Sequence, residues 1–156
     1  MPNNAQSRGT KNMAKVKILF QITDNIQTTK SVPMFTEQVA AGFPSPADDY
    51  IEGNLDLNTY LIQHPVATYF VRVTGDSMIG AGIHSGDILI VDRSLEPTNR
   101  RVVIAIVNGE LTVKRLIRKK DRVILMPEND VYKPIEIKDE TNLEVWGVVT
   151  SVIHAV

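Results

Sequence analysis

A chain of 156 residues, 43% hydrophobic and 22% charged, has room for one domain or one domain with an arm, and enough apolar surface to fold without a metal or a disulfide. With no cysteine, a disulfide framework, a thiolate nucleophile and a Cys-based zinc site are excluded together. The net charge of −1 argues against a protein built to coat nucleic acid, and no strong direct DNA binding is expected.

The three histidines, His64, His84 and His154, stand too far apart in sequence to suggest a metal cluster, so neither a metal nor a cofactor is expected. No apolar run approaches the roughly 18 residues needed to span a bilayer. The polar opening, MPNNAQSRGTKN, lacks the apolar centre of a secretory signal. A cytoplasmic protein without a membrane partner is expected.

Charge divides the chain. Residues 1–30 hold five basic side chains against Asp24 alone, whereas residues 31–156 hold twelve basic and seventeen acidic ones. A basic arm on an acidic body can dock on that body, on a partner subunit or on nucleic acid, or remain a solvated tail. Within the arm, residues 16–22 (VKILFQI) suggest a short strand, although their apolar residues run together without clean alternation. From Ser31 to Tyr50, Pro33, Pro44, Pro46 and Gly42 disfavour helix and predict an extended, exposed linker. Residues 54–64 read as one short helix, capped by Asn54 or Asp56 and stopped before Pro65.

Beyond Pro65 the pattern is that of strands. Residues 69–74 alternate, with Tyr69, Val71 and Val73 on one face, and residues 88–91 are a short apolar run. Residues 102–107 and 111–118 flank Asn108-Gly109, the strongest two-residue hairpin signal, because both turn positions need positive φ. Residues 123–126, 134–137 and 143–155 complete the set, with Gly147 marking a bulge or bend. Asp87 and Asp92 bracket a strand as turn or cap residues, and Trp146 is a core or interface residue. The expected fold class is therefore mostly β, with short, largely antiparallel strands and an extended N-terminal arm.

Gly75-Asp76-Ser77-Met78 follows a strand and precedes the glycine-rich stretch Ile79–Gly82. A serine on such a turn is displayed beside backbone N–H groups that can stabilise an oxyanion, although most serines in such turns are simple caps. Its base would be a histidine or a lysine desolvated enough to be neutral near pH 7. No histidine has an orienting acid at an informative spacing. Lys114 lies in mid-strand and shares a face with Thr112 and Leu116, where desolvation and simple exposure on a hairpin are both open.

Four segments in order carry a resemblance: Ala41-Gly42-Phe43-Pro44-Ser45-Pro46-Ala47, Gly75-Asp76-Ser77-Met78, residues 85–92 (SGDILIVD) and residues 109–116 (GELTVKRL). Together they resemble the UmuD branch of the LexA-type self-cleaving serine peptidases, from about Val32 to the C-terminus. The resemblance implies a LexA/signal-peptidase-like β domain. It also implies self-cleavage between Ala41 and Gly42, with Ser77 as nucleophile, Lys114 as general base and the Asp76 and Ser77 backbone N–H groups as oxyanion donors. The domains would then be a removable arm over 1–41, a linker with a short helix over 42–65, and a peptidase and dimerisation domain over 66–156.

The partners implied are a second copy of the chain, a RecA filament on single-stranded DNA that stimulates the cut in the SOS response, and a Y-family translesion polymerase of the UmuC type. Two other readings stand beside this one. The first is a dimeric interaction module that no longer cleaves. The second is a LexA-like repressor, against which stands the shortness of the 41 residues before the cleavage site, with no three-helix pattern among them. A membrane signal peptidase would need an apolar anchor that the sequence lacks.

Overall fold

The computed structural model describes Lys15–Gln21, Ser31–Phe35 and residues 51–156. Alternation becomes strand wherever one face has a core to meet. In β4 (Thr68–Thr74), Val71 and Val73 are buried while Arg72 and Thr74 face solvent. β5 (Ile88–Asp92) is buried along almost its whole length, as its unbroken apolar run requires. β6 (Val102–Val107) and β7 (Glu110–Lys119) form the expected hairpin on Asn108 and Gly109, at φ 49° and 85°. β8 (Arg122–Met126), β9 (Ile135–Ile137) and β10 (Leu143–Ile153) follow.

With β1 (Lys15–Gln21), these strands form one antiparallel sheet in the order β1-β4-β5-β10-β6-β7-β8-β9. The mostly β, antiparallel expectation holds. In a flat sheet β4 and β7 would stand four strand spacings apart, about 19 Å. The sheet instead curls until β1, which pairs with β4, also approaches β7. Curling buries both faces of the central strands. Ile104 and Val113 join Val71, Val73, Met78 and Leu89 in one core, while their neighbours Val103, Ala105 and Leu116 join Leu125 and Val148 in a second.

Gly147 marks the bulge in β10, where the register against β6 slips between Val145 and Gly147. A Cβ there would lie 2.6 Å from Val91 Cγ1 on β5, the neighbour on the other side of β10, so glycine lets β5 and β10 close. Trp146 is half-buried against the first core, edge-on to Tyr69 at 5.0 Å and 4.8 Å from the Arg93 guanidinium.

Two expectations need correction. Residues 31–50 are not linker throughout, because β2 (Ser31–Phe35) pairs with β3 (Ile51–Asp56) in a separate two-stranded sheet. Among the described residues β2 has one partner, so it is an edge strand, the place in a sheet where a proline such as Pro33 is tolerated. The helix is also shorter than expected: residues 54–56 belong to β3, and α1 spans only Leu57–Leu61. Asp56 caps it, its carboxylate accepting the Asn58 N–H at 3.0 Å, and Ile62 is already extended. Strand pairing overrode helix propensity at Asn54 and Leu55.

Candidate active site

Leaving β4, the chain turns at Gly75, whose φ of 96° is available to glycine at little cost. Ser77 follows, fully buried, and then a short 3-10 turn over Ile79–Ala81. Met78 is the anchor of this turn: it is 1% exposed and part of the first core, so it packs beside the site. The loop after β8 holds the turn from the other side. The Ser77 carbonyl accepts the Glu128 N–H at 2.8 Å, and the Glu128 carbonyl accepts the Gly80 N–H at 2.8 Å. Asn129 Nδ2 donates to the Asp76 carbonyl at 2.9 Å, and the Tyr132 hydroxyl donates to the Asp76 carboxylate. That carboxylate raises the Tyr132 pKa.

Lys114 comes from mid-β7 and is 2% exposed. Its Nζ lies 3.0 Å from Ser77 Oγ, 3.0 Å from Thr112 Oγ1 and 2.9 Å from the Val113 carbonyl. Among the described residues no carboxylate accompanies it, and burial pushes its pKa down from 10.5 to about 8. The desolvated alternative for Lys114 is therefore the one the fold adopts.

The bonding also sorts the protonation states. An ammonium has three N–H groups for three acceptors. A neutral amine has two N–H groups and a lone pair. The Val113 carbonyl can only accept, so the lone pair must take a hydroxyl proton from Ser77 or Thr112. If Thr112 Oγ1 accepts along with Val113, the lone pair points at the Ser77 hydroxyl. This is the arrangement in which a lysine removes a serine proton.

The Asp76, Ser77 and Met78 backbone N–H groups donate to no described acceptor, which leaves them available at the turn. Ala41 and Gly42 lie outside the described residues. Ser77 and Lys114, 37 residues apart, are thus brought together, while none of the histidines bonds to Ser77.

The histidines themselves correct an expectation. His64 Nδ1 sits 2.6 Å from Asp92, and His154 Nδ1 sits 2.6 Å from Asp87. His84 stands beside the same Asp87, so two of the three are not scattered at all. Pairing of β5 with β10, two segments distant in sequence, closes that gap. Asp87 and Asp92 do cap turns as expected, accepting the His84 and Ser94 N–H groups respectively.

Thr112 and the loop residues Glu128, Asn129 and Tyr132 were not singled out as site residues from the sequence. Thr112 was within reach, since two residues before Lys114 on a strand is the same face. The loop gave no signal, because its contacts to Asp76 span more than fifty residues.

Among the described residues no helix is long and apolar enough to cross a membrane. The family described as Peptidase S24-like matches residues 33–150, which include both Ser77 and Lys114. Protein SamA of Salmonella typhimurium is 49% identical over 129 residues, covering 83% of this chain and 88% of the relative. Protein MucA of Escherichia coli is 46% identical over 121 residues, 77% of this chain and 82% of the relative. The LexA repressor of Hahella chejuensis is 41% identical over 118 residues, 75% of this chain but only 58% of the repressor. On this family match and these relatives, the chain belongs to the Peptidase S24-like family, in the UmuD-like branch of SOS mutagenesis proteins.

Proposed function

We propose that the protein is a self-cleaving serine endopeptidase that cuts its own chain between Ala41 and Gly42. The observation that carries this reading is the 3.0 Å contact between a buried serine hydroxyl and a buried lysine amine with a lowered pKa. Neutral Lys114 takes the Ser77 proton, and Ser77 Oγ attacks the Ala41 carbonyl carbon. The oxyanion is met by the Asp76 and Ser77 N–H groups. The Lys114 ammonium then protonates the Gly42 nitrogen as the peptide bond breaks. Water, deprotonated in turn by Lys114, releases residues 1–41 from the acyl-enzyme and frees Ser77.

The small side chain and the glycine on either side of the cut let the carbonyl approach a crowded nucleophile. β1 lends support: it pairs with β4, the strand that leads into the Ser77 turn, and approaches β7, the strand that carries Lys114.

The biological setting follows from the family. A RecA filament on single-stranded DNA stimulates the cut, and the dimeric product, residues 42–156, serves a UmuC-like Y-family polymerase in translesion synthesis. The greater coverage of SamA and MucA than of the LexA repressor favours this accessory role over transcriptional repression. The test is intact mass spectrometry of purified protein, alone and with RecA filaments. A fragment beginning at Gly42, absent from Ser77→Ala and Lys114→Ala, is the expected result. A chain that stays whole under both conditions would leave only the interaction module.

A further inference from the structure

β5 and β10 pair antiparallel with Ile88 opposite Ile153. One residue beyond that pair, on the same side, come Asp87 and His154. His84 enters from the turn before β5, and its own N–H donates to Asp87 Oδ2 at 2.7 Å. The two imidazole rings lie 4.7 Å apart and tilted by 39°. Asp87 is buried, with its side chain only 5% exposed, while those of His84 and His154 are 48% and 42% exposed. Both Nδ1 atoms face the carboxylate, His154 at 2.6 Å from Oδ1 and His84 at 3.8 Å from Oδ2.

We propose that His84, Asp87 and His154 bind one divalent transition-metal ion of the zinc, nickel and copper class, with water completing the coordination on the exposed side. Two imidazoles and one carboxylate suit these ions, whereas magnesium and calcium call for oxygen ligands. The geometry is close to what the ion needs. Metal–ligand bonds of about 2.0–2.2 Å in tetrahedral array hold ligand atoms about 3.3 Å apart. The three donor atoms already lie within 4.8 Å of one another. Binding would therefore need shifts of no more than about 1.5 Å between donor atoms, and His154, now 2.6 Å from Asp87 Oδ1, would have to retreat to admit an ion. Both rings have solvent on one side in which to make that motion.

Asp87 supplies what surface histidine pairs usually lack, a desolvated carboxylate held in place by a backbone N–H. Such support orients a ligand before the metal arrives. His64 provides the internal contrast. It makes the same 2.6 Å bond to a buried aspartate, Asp92, but no second imidazole joins it. A bound ion would join the end of β10 to the turn before β5.

The test uses the full chain without an affinity tag, carrying Ser77→Ala so that it stays whole. Zinc chloride titrated in a calorimeter gives the stoichiometry and affinity, and cobalt(II) in place of zinc gives a d–d spectrum that reports imidazole coordination. One equivalent should bind, with affinity lowered about tenfold or more by His84→Ala and by His154→Ala and unchanged by His64→Ala. Zinc at a fixed concentration that saturates the parent should raise its melting temperature, and raise that of either site variant by less. These two histidines are half-exposed, so their replacement leaves the fold intact, as circular dichroism checks. Absence of saturable binding, or undiminished affinity in either site variant, would overturn the proposal. So would an equal loss on His64→Ala.

Discussion

Burial of Lys114 sets a numerical expectation for the pH dependence of cleavage. Only the neutral amine can take the Ser77 proton, so the rate follows the neutral fraction and rises with pH through the pKa of the buried group. With that pKa at about 8, roughly one tenth of the protein is neutral at pH 7 and nearly all of it at pH 10. The rate should therefore climb about tenfold between those values and level off above pH 9. A lysine at its ordinary 10.5 behaves differently: the same interval would bring an increase of several hundredfold, about tenfold per unit, with no plateau by pH 10. Appearance of the Gly42 fragment, followed by intact mass at half-unit steps from pH 6.5 to 10, separates the two curves. Circular dichroism at each step confirms that the fold persists. A log-linear rise without a plateau would refute the claim that desolvation prepares the base. A flat profile would refute Lys114 as the base altogether.

The remaining expectations concern what holds the dyad and what the dyad costs the fold. Thr112→Val keeps the shape of the side chain but removes an acceptor from Lys114 Nζ; it should slow plateau cleavage by about 5- to 30-fold, the effect of 1–2 kcal/mol in a buried hydrogen bond, and lower the melting temperature by a few degrees. Gly80→Ala places a Cβ 2.6 Å from the Glu128 carbonyl oxygen, displacing the turn after Ser77, and the cleavage rate should fall more than the urea midpoint does. Gly147→Ala, by contrast, meets Val91 in the β10 bulge and should cost about 1–3 kcal/mol in urea unfolding. In a Ser77→Ala background, stability should gain up to about 3 kcal/mol as pH rises from about 8 to 10.5, because there the unfolded chain holds a proton on Lys114 that the folded chain has lost. Lys114→Met should abolish that gain, and persistence of the gain in the variant would assign it to other groups.

How much of this was legible in the sequence depended on the range of the interaction involved. Alternation, apolar runs and the Asn108-Gly109 turn act over a few residues, and from them β4 to β10 could be read to within one or two residues at almost every end. Gly147 was legible as a bulge because glycine in mid-strand has few other uses. β2 and β3 were not, since Pro33 argues locally against a strand and only the pairing of Ser31–Phe35 with Ile51–Asp56 favours one. The dyad sat between these cases. Ser77 on a turn and Lys114 in mid-strand were each visible, but nothing local says that three intervening strands curl to bring them within 3.0 Å. The family motifs supplied that link. The loop from Glu128 to Tyr132 and the convergence of His84, Asp87 and His154 belong wholly to tertiary structure, and spacing along the chain could not show them.

On the proposed reading, one feature governs both stability and chemistry: Lys114 is desolvated with no counter-ion among the described residues. A carboxylate beside it would stabilise the ammonium and raise its pKa, removing the base. Three neutral acceptors, Ser77, Thr112 and Val113, satisfy its N–H groups without supplying opposing charge. The result is a lysine largely protonated at pH 7 yet only about one unit from neutrality, so the base is available without being permanently active. At neutral pH this limits the intrinsic rate by about tenfold, a modest restraint for a cut that cannot be reversed. A stimulus that acted only on the pKa of Lys114 would therefore have no more than about tenfold of rate to release at pH 7.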